Sequence, residues 1–269
     1  MKKKNLMAAA ATTCLTMVTS MASCTNNDMP VEPKPQSYTM TVRAEKRSYT
    51  PRNLITRALS LEGMTLNSTW SVGDKVIVMG GVPPGDWEMI GELQALEAGS
   101  TTTLKGTLDK KPTADCPILL MTTHNLIVNT GQKGTLEDIA ANYDLGSIRI
   151  DEWSETNGAI TTQGTVEFYG NPAIVKFTFL DKADGTTLLS PSAATISIDA
   201  ETVELTDIPA ETYSANGEGV LFVAMPPIRD KAVNITLKVG SSTYTYSESG
   251  MTFISGYYYD MMLEMNVNI

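Results

Sequence analysis

Histidine and cysteine are nearly missing from this chain of 269 residues. The one histidine, His124, follows an apolar run in Met121-Thr122-Thr123-His124-Asn125 and reads as a loop or strand-end residue. Sites that need several imidazoles have no donors, and neither H-E-x-x-H nor C-x-x-C spacing occurs, so no cofactor and no histidine-ligated metal is expected. No G-x-S-x-G supplies the strained turn of a hydrolase serine. Gly131-Gln132-Lys133-Gly134-Thr135 is glycine-rich but lacks the spacing that wraps a phosphate, and Asp181, Asp184 and Gly185 lack the ligand spacing of a calcium loop. Asp151, Glu152 and Glu155 around Trp153 read as a solvated acidic loop rather than a glycosidase pair, so the chain is not expected to be an enzyme. Aromatic residues reach 7%. No run approaches the roughly 20 apolar residues that span a bilayer as a helix.

What is present begins at the N-terminus. Lys2, Lys3 and Lys4 precede an apolar run from Leu6 to Val18, and Met21-Ala22-Ser23-Cys24 closes it with small residues. This is a secretion signal over residues 1–23, and small residues before a cysteine resemble a lipobox, with Cys24 as the lipidated first residue of the mature chain. The alternative is an ordinary signal cleaved after Ser23. Residues 24–37, polar and proline-rich, form a tether without hydrophobic periodicity. With Cys14 discarded and Cys24 acylated, Cys116 stands alone beside an apolar run, and no intrachain disulfide is expected.

Charge is one-sided. The whole chain carries −10, and removing the three signal lysines takes it to −13, so phosphate backbones are repelled and nucleic acid is not a partner. Residues 24–57 hold six basic residues against Asp28, Glu32 and Glu45, about +3 in all, and leave about −16 on the rest.

After the tether, apolar and polar residues alternate with period two between Gly, Pro, Asn and Asp, which predicts antiparallel strands almost throughout. Tyr38, Met40, Val42 and Ala44 share one face of the first strand. Further strands are expected at 70–78, 102–108, 118–122, 165–169, 173–180, 194–198, 220–224, 233–239 and 243–247, and from Tyr257 to the end. One short helix is expected after Thr135, where Leu136, Ile139, Ala140 and Tyr143 have helical spacing. The reading is all-β: two tandem sandwiches over 58–163 and 164–269, with the helix in the first domain and a polar stretch around 156–164 between them. In the last strand Tyr257, Tyr259, Met261, Leu263, Met265, Val267 and Ile269 share a face. Its length exceeds a usual strand of about five or six residues, which leaves open a domestic strand or one donated to a neighbour.

Thr56-Arg57-Ala58 and Trp70-Ser71-Val72-Gly73-Asp74-Lys75-Val76-Ile77-Val78, followed in order by Leu136-Glu137-Asp138-Ile139, Ala173-Ile174-Val175-Lys176-Phe177, Phe222-Val223-Ala224-Met225-Pro226-Pro227 and Gly256-Tyr257-Tyr258-Tyr259-Asp260, resemble the fimbrillin family of Bacteroidales lipoproteins. The resemblance implies transthyretin-like sandwiches and subunits of a surface pilus, anchored to the outer membrane by lipid before assembly into a fimbrium with other pilin subunits, as a homo- or hetero-polymer. It also implies a trypsin-like, arginine-specific protease that removes lipid, tether and first strand together. Arg57, followed by Ala58, is the matching position. Residues 38–57 would then be a pro-segment whose strand, carrying Tyr38, Met40, Val42 and Ala44, is exchanged for one from another subunit, with Tyr259, Met261, Leu263, Met265, Val267 and Ile269 as candidate donors. The stripe on the first strand contributes at most about 6–10 kcal/mol on full burial. A different expectation from the same residues is a permanently anchored surface lipoprotein that binds glycans on Trp87, Trp153 and the tyrosines at 257–259.

Overall fold

The computed structural model describes residues 37–51, 66–82, 86–123, 130–199 and 201–268. Cys24, Arg57, Ala58, His124 and Ile269 lie outside them. The described chain is mostly strand. Its first part gives β1 (Tyr38–Lys46), β2 (Thr50–Pro51), β3 (Lys75–Val82), β4 (Asp86–Ala95), β5 (Thr101–Leu108), β6 (Ile118–Thr122), helix α1 (Leu136–Asn142), β7 (Gly146–Ile150), β8 (Trp153–Thr156) and β9 (Ala159–Gly170). There follow β10 (Ala173–Asp181), β11 (Ala193–Ile198), β12 (Glu201–Leu205), α2 (Ala210–Asn216), β13 (Val220–Met225), β14 (Ile228–Val239), β15 (Ser242–Phe253) and β16 (Tyr257–Asn268).

These strands make two sheets, each around its own core. The first has the order β1-β5-β4-β3-β6-β7-β9-β8, and β1 also pairs with β9, so the sheet closes on itself. Met40, Val42, Val76, Leu93, Leu104, Ile118, Leu120 and Ile160 fill it, with Trp70 packed edge-on against Phe168. The second runs β12-β11-β14-β15-β16-β10-β13, with β2 also on β16. Its core includes Phe177, Phe179, Ile196, Ile235, Phe253 and Met261.

The edge of β13 is not left free. The side-chain amide of Gln132 donates to the Ala224 carbonyl and accepts from the Ala224 N–H, both at 2.8 Å, and the Phe222 N–H donates to Gly134 O at 2.9 Å. A strand edge satisfied in this way offers no template for another chain.

Several elements differ from the sequence reading. Trp70 forms an isolated bridge to Gly99 rather than opening β3, because the turn at Ser71–Asp74, with Gly73 at φ 89°, separates the two. The polar stretch at 156–164 is the β8–β9 hairpin, turned through Asn157 and Gly158 at positive φ, and β9 runs on to Gly170. Thr135 caps α1 as expected, accepting from the Asp138 N–H at 3.1 Å. However, α1 packs against the second sheet: Ile139 and Tyr143 sit in a third apolar cluster with Ile174, Val220, Phe222 and Tyr258. A second helix, α2, is present although only one was expected.

Candidate functional site

Period two places Met40, Val42 and Ala44 inward on β1, and all three are essentially inaccessible to solvent, while Thr39, Thr41 and Arg43 face out. Tyr38 is half-buried at the start of the same stripe. β1 is an internal strand. It pairs antiparallel with β5, setting Met40 opposite Gly106, Val42 opposite Leu104 and Ala44 opposite Thr102, and it pairs parallel with β9, where Met40 meets Ile160 and Ala44 meets Val166. Taking β1 away would break both ladders and open the closed sheet between β5 and β9.

The same parity carries Lys46 indoors. Its Nζ lies 3.3 Å from Asp144 Oδ2 and 3.7 Å from Asp74 Oδ2, donates to Thr69 O at 3.0 Å, and stands 4.8 Å from the Trp70 ring centroid. Asp144 also accepts from the Tyr49 hydroxyl at 3.0 Å and from Ser68 Oγ at 2.6 Å. A buried carboxylate is tolerated only when paired and hydrogen-bonded, and here two of its partners come from the segment that precedes Arg57. Beside this node opens a cavity of about 460 Å³ bordered by Lys46, Tyr49, Ser68, Asp74, Glu137 and Asp144.

Tyr49 belongs to the third apolar cluster, with Leu66, Ile174 and Tyr258. Its ring fills the space over Gly170, where an added Cβ would collide with the hydroxyl oxygen and the ring carbons. Immediately after it, Thr50 and Pro51 pair with Tyr257 and Tyr258 of β16. One segment of 14 residues, Tyr38–Pro51, therefore reaches from the first sheet to the second.

Burial, together with the charge and the hydrogen bond of Asp144, pushes the Tyr49 hydroxyl well above its ordinary pKa. The neutral phenol is thus favoured in the folded state, so its contribution is intact below about pH 10 and is lost as pH rises through the raised value. The melting temperature is expected to fall more steeply above about pH 10 in the wild type than in Tyr49→Phe. Other alkaline-titrating groups are common to both proteins, so equal slopes would contradict the assignment.

The candidate donor residues sit at home. Tyr259, Met261, Leu263 and Met265 are buried in the second core, and β16 pairs parallel with β10 from Tyr258 to Met265 and with β15 at Asn266–Asn268. Val267 is 42% exposed.

The expected glycan platform is not assembled. Tyr258 and Tyr259 are buried, and Trp153 is half-buried with its indole N–H donating to Cys116 O at 2.9 Å. Trp87 is exposed on β4. Glu155 is held below its usual pKa by Lys111, then by the Gly158 N–H, the reverse of what a general acid requires. Asp184 is occupied in a turn: its oxygens accept from the Thr187 hydroxyl and from the Thr187 and Thr186 N–H groups, which push it down to about 2. Among the described residues no group of three or more His, Cys, Asp or Glu is placed to hold a metal ion.

Together these features define an all-β protein whose first strand is clamped between two neighbours and tied by a buried ion pair to the chain that follows it. No protein-family model matches the chain, and no curated protein does. Among solved structures it is similar to a fimbrial protein from Bacteroides ovatus, at 11% identity and a TM-score of 0.42, over 86% of this chain and 50% of that one. This chain thus spans half the length of that protein. A fimbrial assembly protein from Parabacteroides distasonis matches at 13% identity and 0.38, over 84% and 90% of the two chains. A shaft pilin from Lactobacillus rhamnosus GG matches at 7% and 0.34, over 87% and 98%.

Proposed function

We propose that this chain is a structural or accessory subunit of a cell-surface pilus, exported as a lipoprotein on Cys24, cut after Arg57 and polymerised by strand replacement. The observation that carries the reading is the position of β1: an internal strand, buried on its inner face, that precedes Arg57 in sequence. A cut at Arg57 severs lipid, tether, β1, Lys46, Tyr49 and β2 from the rest in one step. The sheet left behind has two unpaired edges facing one groove, and exposed strand edges are templates for strand addition. Export on a lipid anchor gives the capped subunit an address at the outer membrane, and removal of the cap makes it competent to assemble. The two sheets with their cores, before and after the β9–β10 turn, are the repeating bodies of the filament.

The C-terminal strand enters this scheme with a restriction. To donate the whole of β16 the chain would have to leave β10 and uncover Tyr259, Met261, Leu263 and Met265. Donation from this end is therefore confined to the residues after Met265, Val267 and Ile269 among them.

Incubating the purified full-length protein with an arginine-specific protease is expected to produce a new N-terminus at Ala58 and a ladder of oligomers on gels run without boiling. Arg57→Ala is expected to block both. An Arg57→Ala protein that matures and polymerises like the wild type would overturn the processing assignment.

A further inference from the structure

The groove occupied by β1 ends in a polar slot. Three apolar inward positions, 40, 42 and 44, are followed by a fourth that holds Lys46, and around its ammonium stand Asp144, Asp74, the Thr69 carbonyl and the face of Trp70. All four lie after Arg57 and stay with the body when the segment is cut away. Among the described residues Lys46 is the cation paired with either carboxylate. Asp144 is 9% exposed, so water replaces a lost cation only in part.

On the reading that β1 is replaced during assembly, we infer that the groove selects its incoming strand by charge as well as by apolar parity. The partner is an extended segment of another protein with three alternating apolar side chains and, two residues after the third, a lysine or arginine that enters the slot between Asp144 and Asp74. Charge complementarity carries the inference. Apolar side chains alone would fill the core and leave a buried carboxylate with its cation missing, the arrangement that costs most. The net charge of about −16 on residues 58–269 acts in the same direction at longer range.

The same rule excludes one occupant. Residues 257–269 of this chain contain Asp260 and Glu264 and no lysine or arginine at any position. Residues 257–269 have the apolar alternation but not the cation, so this groove is built for a strand other than that segment.

The test uses the full chain with a unique protease sequence placed across the 57/58 junction, nicked in the folded state so that the segment stays seated without a covalent tie. Labelled peptides are then offered: residues 37–51, the same peptide with Lys46→Met, and residues 257–268. The native peptide is expected to exchange into the nicked protein, the Lys46→Met peptide to bind roughly tenfold or more weakly, and the tail peptide not to compete. In an Asp144→Asn chain the gap between the first two peptides should shrink. Equal binding of the native and Lys46→Met peptides, or tail binding that matches the native peptide, would overturn the charge rule. Failure of the native peptide to enter at all would overturn the replaceable-strand reading beneath it, a result distinguishable from the other two.

Discussion

Val42→Asp is expected to unfold the first sheet rather than weaken it slightly. Val42 is 1% exposed and lies opposite Leu104 in the middle of a strand that is paired on both sides within this closed sheet. A carboxylate there has no partner. Burying an unpaired charge costs well above the roughly 4 kcal/mol that marks an exceptional substitution, which is comparable with the whole stability of many domains, about 5–15 kcal/mol. Thr41→Asp, one residue earlier on the exposed face, should stay within about 0.5 kcal/mol of wild type. Tryptophan emission reads this region directly, because Trp70, Trp87 and Trp153 all precede β10 and the second core contains none. The expected result is loss of the buried Trp70 signal without denaturant in Val42→Asp, with strand signal from the second sheet retained. A wild-type denaturation midpoint in Val42→Asp would mean that β1 is not part of the first core.

Lys46→Met should cost about 3 kcal/mol, the usual penalty for removing one member of a buried ion pair. Methionine fills most of the lysine volume, so the loss is electrostatic. Asp144 keeps the hydroxyls of Ser68 and Tyr49 but not a cation, and Asp74 loses its longer contact. Combining Lys46→Met with Asp144→Asn removes both charges, and the double variant is expected to be more stable than the two single losses added together, by about 1–3 kcal/mol. Urea titration of the four proteins measures that coupling. Strict additivity would place Lys46 and Asp144 in separate environments.

The stripe on β1 was legible because one face of a strand reads directly as every second residue, and the same holds for β16. Lys46 carried the same signal. It occupies the next inward position after Ala44, yet counting it only as part of a basic segment hid its role. Its partner was beyond reach of local pattern, since Asp144 follows 98 residues later and is brought in by the chain leaving α1.

β4 was missed for a different reason. Val78 of β3 pairs with Gly91 and Met79 with Met89, so Ile90 is an extra residue in the ladder, and the bulge puts Ile90 and Gly91 indoors in succession. Trp87 and Met89, on the exposed side of that bulge, look like core residues by type alone. α2 begins after Pro209 without a side-chain cap and spans seven residues, too short to impose a visible helical period. β13 is buried at every position because its outer face meets α1 and Tyr49, so its two faces merged into one apolar run.

The most direct test of the central claim, that β1 is a removable cap, is the intact mass and N-terminal sequence of the protein recovered from assembled material at the cell surface. Copies that begin at Ala58 and lack residues 38–51 would agree with it. Assembled copies that still begin at a lipidated Cys24, with Tyr38–Lys46 present in each, would contradict it.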